Sequence, residues 1–168
     1  MTADHPFWHR KKLHEFSAKE WEDLCDRCGL CCMHKLEDVD TGRIYRTSIA
    51  CDLLDKESCS CLHYRKRFNF VPDCVRVTQE IVQHVNWLPE TCAYRLIAQG
   101  KDLPPWHHLQ SNDKRTVHEK GVSVRGKIAR YESEVEKIED YFSYIVEDDS
   151  ALDLDGKVIV AQCAEKED

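Results

Sequence analysis

The sequence predicts an α+β fold, mainly helical, in a single small domain with short strands and an irregular cysteine-rich region that binds metal. Three observations carry this prediction. The chain has 168 residues, the size of one domain whose core buries most of the surface its unfolded form exposes. Apolar residues recur at helical spacing in several segments and alternate with period two in one. Nine of the ten cysteines fall between Cys25 and Cys92, four of them in the run Cys25-Asp26-Arg27-Cys28-Gly29-Leu30-Cys31-Cys32. Residues 1–146 are expected to form the domain, with residues 25–92 as its metal-binding segment and residues 147–168 as an acidic tail or small hairpin.

Ser17-Ala18-Lys19-Glu20 has the form of a capping box, and Phe16 with Trp21 stands where a hydrophobic staple would close it. A short helix therefore begins here. Trp21, Leu24 and Cys25 share its inner face, so it anchors in the core and delivers Cys25 and Cys28 at its end, where Gly29 lets the chain turn. From Ile44 to Ile49 the residues alternate, with Tyr45, Thr47 and Ile49 on one face, which predicts a strand leading to Cys51. Between Cys51 and Cys74 there is little periodicity and few large apolar side chains, so this stretch depends on cross-links for its shape.

Two helices follow, around Thr78 to Val85 and Thr91 to Gln99, the second closed by Gly100. Leu103-Pro104-Pro105-Trp106-His107-His108 is a rigid, extended connector into a polar loop reaching Lys120. His107 and His108 read as solvated loop residues, since an adjacent pair without a third ligand nearby is a weak metal signal. Ser133-Glu134-Val135-Glu136 forms a second capping box, with Val135, Ile138, Phe142 and Ile145 at the spacing of an amphipathic helix whose outer face is acidic. Beyond it, Leu152 and Leu154 face Val158 and Val160 across Asp155-Gly156, which suggests a small hairpin.

The net charge of −7 is uneven: residues 132–168 carry −10 and residues 1–131 carry +3. Thiolates would add negative charge, which the basic residues Arg27, Arg65, Lys66, Arg67 and Arg76 offset. Neither half has a nucleic-acid footprint. No apolar run resembles a signal peptide or a membrane span, so the cytoplasm is the expected compartment. Cytosolic reductants keep thiols apart, and a dense cysteine pattern there points to metal or catalysis before disulfides. An odd count and the adjacent pair Cys31-Cys32 fit a disulfide framework poorly.

Thiols at i, i+3 and i+6 converge on a point, as a metal requires. Cys25, Cys28 and Cys31 match the loop that gives three ligands to a cubane cluster in bacterial ferredoxins, but no cysteine-proline pair follows, and positions 35 and 36 are Lys35 and Leu36. Two arrangements stay open: one iron-sulfur cluster completed by a distant cysteine, or zinc sites in which Cys25 and Cys28 form a knuckle joined by a second pair. The candidate ligands are Cys25, Cys28, Cys31, Cys32, Cys51, Cys59, Cys61, Cys74 and Cys92. Cys92 shares a face with Leu96 and reads equally as a core residue, while Cys163 stands alone and is left out.

With these residues in view, the chain resembles bacterial proteins carrying the zinc- or iron-chelating CxxCxxCC domain, and among them the YcgN-like group. The broad motif maps onto Cys25, Cys28, Cys31, Cys32, Cys51, the Cys61-x-x-Tyr64-x-x-Arg67 element and Cys74. The narrower features are similar to Cys59, Trp87-Leu88-Pro89 with Thr91-Cys92-Ala93-Tyr94-Arg95, and Gly100-Lys101-Asp102-Leu103-Pro104 with Trp106-His107. Where the broad pattern has arginine-proline, this chain has Arg67-Phe68, and its spacing to Cys74 is longer. The resemblance implies a metal and names no reaction.

The leading expectation is a protein whose clustered cysteines chelate iron, as an iron-sulfur cluster, or zinc. Tyr64 and Arg67 would tune the sulfurs through hydrogen bonds and charge. The alternatives are a thiol redox enzyme using Cys25 and Cys28, and a metal storage or delivery protein. The sequence does not decide whether the protein is an enzyme, and no phosphate loop or Ser/His/Asp arrangement is visible. The expected partners are a metal ion and a protein surface, not nucleic acid or membrane.

Overall fold

Residues 5–146 and the backbone of residues 158–161 are described by the computed structural model. In chain order the elements are α1 (Phe7–Arg10), α2 (Ala18–Asp23), β1 (Met33–Asp38), β2 (Ile44–Ala50), α3 (Arg67–Phe70), α4 (Ala93–Ala98), α5 (His108–Ser111), α6 (Thr116–Glu119), β3 (Arg130–Tyr131) and β4 (Val158–Ala161), linked by single tighter helical turns. The class is α+β. The chain divides into two compact units, Met1–Cys28 with Arg76–Ser123, and Gly29–Val75 with Val124–Asp168.

In the first unit the capping box closes as its residues require. Ser17 Oγ accepts from the Glu20 amide at 3.2 Å, and Glu20 Oε2 accepts from the Ser17 amide at 2.8 Å. The Lys11 ammonium on Glu20 holds that carboxyl down at about 2. Trp21 is then fixed inside, its ring 4.6 Å from that of Tyr94 and its indole N–H donating to the Val77 carbonyl at 2.9 Å. Phe16, Leu24, Val82, Leu88, Ala93 and Leu103 complete this core. The helix expected over Thr78 to Val85 shrinks to one turn, Ile81–Gln83. β-Branched Ile81, Val82 and Val85 are weak helix formers, and Pro89 limits the segment's extension. The helix ending before Gly100 forms as expected, as α4.

His107 corrects the reading of the proline-rich connector. It is fully buried, at 0 % exposure, rather than solvated. Its Nε2 donates to the Leu24 carbonyl at 2.9 Å while Nδ1 accepts from the Leu109 amide at 3.1 Å. Both ring nitrogens are thus engaged in tying the residue before Cys25 to the unit's core.

The second unit is built on a four-stranded sheet in the order β3-β2-β1-β4. β1 and β2 are antiparallel, joined by a turn in which Asp38 Oδ1 accepts from the amides of Asp40 and Thr41. Tyr45, Thr47 and Ile49 point inward from β2, as its alternation predicts. Their partner β1 carries no such signal, because His34, Lys35 and Asp38 are polar and yet buried. The β1–β2 register shifts between Met33 and Lys35, so His34 stands where the ladder is irregular.

The acidic segment also departs from expectation. Ser133 cannot cap a helix, since both its amide and its hydroxyl donate to Asp52 Oδ1, at 3.1 and 2.8 Å. The chain instead makes short turns at Glu132–Glu134 and Ile138–Tyr144, leaving Ile138 and Phe142 exposed. β4 pairs antiparallel with β1; the other strand of the hairpin expected across Asp155-Gly156 lies outside the described residues.

Candidate metal centre

The boundary between units falls inside the cysteine motif, after Cys28. In the first unit α2 ends at Asp23, and the chain leads through Cys25, exposed, to Cys28, buried. Asp26 Oδ1 accepts from the Cys28 amide at 3.0 Å, and its Oδ2 is buried without a partner. Cys92 precedes α4 and packs against the apolar core.

In the second unit Gly29 takes the left-handed conformation, φ 77°, and starts the turn Leu30–Cys32. A methyl group there would meet Val124 Cγ2 at 2.7 Å and Cys59 Cβ at 3.2 Å, so the backbone's close approach needs glycine. Lys35, 1 % exposed, straps this turn: its ammonium donates to the carbonyls of Leu30 and Met33 at 2.9 and 2.7 Å. The Cys51 amide donates to the Cys32 carbonyl at 2.9 Å, and Leu54 bridges to Cys61. Three separate stretches bearing cysteine are joined by backbone alone.

The sulfurs respond to one another. Cys31 Sγ and Cys32 Sγ are 4.0 Å apart. The hydrogen bond to Cys31 and then burial push the Cys32 thiol well up, the charges of Cys31 and Cys51 add to this, and Lys35 opposes it. Burial raises the Cys74 thiol, with Cys31 and Cys61 contributing, while Arg67 acts the other way by charge and hydrogen bond. Arg67 is itself buried, donates to the Tyr64 carbonyl at 2.6 Å and lies 4.4 and 4.6 Å from the ring centres of Tyr64 and Phe68.

Cys31 and Cys51 thus act on Cys32, and Cys31 and Cys61 act on Cys74. Cys59 is sealed in the core with Met33, Ala50, Leu54 and Val124, the setting of a small hydrophobe. Among the described residues, no three of His, Cys, Asp or Glu stand together in a group already shaped to hold an ion. The donor chemistry nonetheless fits zinc or iron: soft sulfurs whose ionisation is opposed by burial and by each other, with cationic Lys35 and Arg67 acting against that penalty.

Residue patterns did not disclose Lys35, His34 or Glu132. Glu132 lies far along the chain, yet its Oε2 meets His34 Nε2 at 2.8 Å and its Oε1 accepts from the Asp52 amide at 3.2 Å. The bond to His34, above all, lowers its carboxyl, and the bond from the Asp52 amide adds to this. A buried lysine or histidine in a short polar strand leaves no periodic signal, so only long-range pairing reveals it.

The class of protein follows from the motif and its thiol-rich unit. Residues 24–93 match the family model CxxCxxCC, described as "Putative zinc- or iron-chelating domain". Relatives cover almost the whole chain. A UPF0260 protein of Brucella canis is 52 % identical over 147 residues, which is 88 % of this chain and 97 % of the relative. One of Mesorhizobium japonicum is 51 % identical over 86 % and 97 %, and one of Rhizobium etli is 55 % identical over 82 % and 88 %. The chain belongs to the UPF0260 family. No solved structure matches it, and among the described residues no helix is long and apolar enough to cross a membrane.

Proposed function

We propose that this protein chelates zinc or iron through the thiols of its second unit, Cys31, Cys32, Cys51, Cys61 and Cys74. The observation that carries the reading is backbone pairing that draws cysteine-bearing stretches of one unit together, the Cys51 amide on the Cys32 carbonyl at 2.9 Å and Leu54 bridged to Cys61, with Cys31 Sγ and Cys32 Sγ 4.0 Å apart. The family description supports a metal of the same kind. A bound zinc or iron ion would supply the positive charge that lets neighbouring thiols, Cys31 exposed and the other four half-buried, ionise together. Around it, Lys35 holds the Cys31-Cys32 turn, and the positive charge of Arg67 counters the rise of the Cys74 thiol. Cys59 and Cys92 fill apolar cores and are not needed as ligands. A reducing cytoplasm would keep the set available, and an iron-sulfur cluster is one form in which iron would be held.

The test is anaerobic purification followed by an absorption spectrum and metal analysis. Brown protein with acid-labile sulfide identifies an iron-sulfur cluster, and colourless protein with zinc identifies thiolate sites. Cys32→Ser should lower the metal content in either case. Folded protein that carries neither metal under these conditions, and takes up none on reconstitution, contradicts the proposal.

A further inference from the structure

Among the described residues two buried side-chain atoms have no hydrogen-bond partner, Asp26 Oδ2 and His34 Nδ1. The histidine is the more informative. His34 is 3 % exposed and lies on β1 at the break in its pairing with β2, two residues beyond Cys32. Its Nε2 faces Glu132 Oε2 at 2.8 Å. A carboxylate can only accept, so Nε2 carries the proton and donates it. In the neutral ring Nδ1 is then a lone pair, in a site closed to water, with nothing to receive it. Buried polar atoms in native folds are satisfied, and an orphan of this kind calls for a missing partner.

A proton would not resolve it, because an Nδ1–H would be an equally unmatched donor. A metal ion would. Histidines that bind metals usually donate the second ring N–H to a carboxylate, which fixes the tautomer and aims the free nitrogen. The Glu132–His34 pair has that form, and the same carboxylate accepts at 3.2 Å from the amide of Asp52, the residue after Cys51.

Resting on the metal-binding reading above, we propose that His34 Nδ1 is a nitrogen ligand of the centre and that Glu132 positions its ring. The centre then mixes sulfur with imidazole, a donor set that suits zinc, a single iron ion or a two-iron cluster with histidine on one iron, and not an all-cysteine cubane.

The test begins with the unmodified full-length protein loaded with cadmium-113 and with ¹⁵N-histidine incorporated. The expected result is a cadmium shift for mixed sulfur and nitrogen ligation, with coupling to a single histidine. Cobalt-loaded His34→Gln should change its ligand-field spectrum and bind at least about tenfold more weakly; Glu132→Gln should keep the wild-type band positions while losing about 10–100-fold in affinity. Cadmium bound by sulfur alone, or a His34→Gln protein with unchanged spectrum and affinity, overturns the histidine ligand and leaves the thiolate centre standing. A wild-type chain that takes up neither cadmium nor cobalt overturns both. If His34→Gln does not fold, the cadmium measurement on the unmodified chain decides alone.

Discussion

At the scale of single residues, the side chains that organise the cysteines are those whose burial is hardest to foresee. Lys35 and His107 are both charged or polar by type and both enclosed, and each is held by backbone carbonyls next to the cysteine motif. For His107 this has a pH signature. Burial, the main cause, holds its pKa below the ordinary histidine value of 6.5, so the unfolded chain binds a proton more readily than the native one. The sign follows from linkage: stability contributed by neutral His107 is complete above about pH 6.5 and declines as the pH falls through the interval between the two values. Half-buried His108 is lowered too, by burial and then by the charge of His107, and adds to the same trend. The urea midpoint of the wild type should therefore drop between about pH 7.5 and about pH 5.5. His107→Gln should begin from a lower midpoint and lose less over that interval; an unchanged pH dependence would contradict neutral burial as its role.

At the scale of elements, local signals were legible where they needed no distant partner. The Ser17–Glu20 box, the Phe16–Trp21 pair, α4 and the alternation of β2 are all present where the residues indicate. Two of the departures share a cause, a distant partner. Ser133 was a plausible cap until Asp52, 81 residues away, engaged its hydroxyl, and β1 is a strand because β2 pairs with it, not because its own residues alternate. α2 allows a direct check, since it leads into Cys25. Ser17→Ala removes one half of the reciprocal cap and should cost about 1 kcal/mol, read as a shift in the denaturation midpoint. A change within error would mean that core packing of Trp21, and not the cap, sets the start of this helix.

At the scale of the whole molecule, the nine clustered cysteines pointed to the family, but their spacing does not give their grouping. Spacing suggests Cys25, Cys28 and Cys31 as one group, whereas within the second unit backbone pairing joins the stretches of Cys32, Cys51 and Cys61. Cys59, two positions before Cys61, lies in the apolar core of the second unit. Acidic charge gathered toward the C-terminal end, with the basic residues elsewhere, agrees with a centre of anionic sulfur offset by Lys35 and Arg67. Protection of individual thiols tests this most directly: the purified protein is alkylated before and after treatment with a strong chelator, and each cysteine is followed by mass spectrometry. The account predicts that Cys31, Cys32, Cys51, Cys61 and Cys74 are shielded together and become reactive together when the metal is withdrawn. Five cysteines that react each at its own rate, unaffected by the chelator, would contradict it.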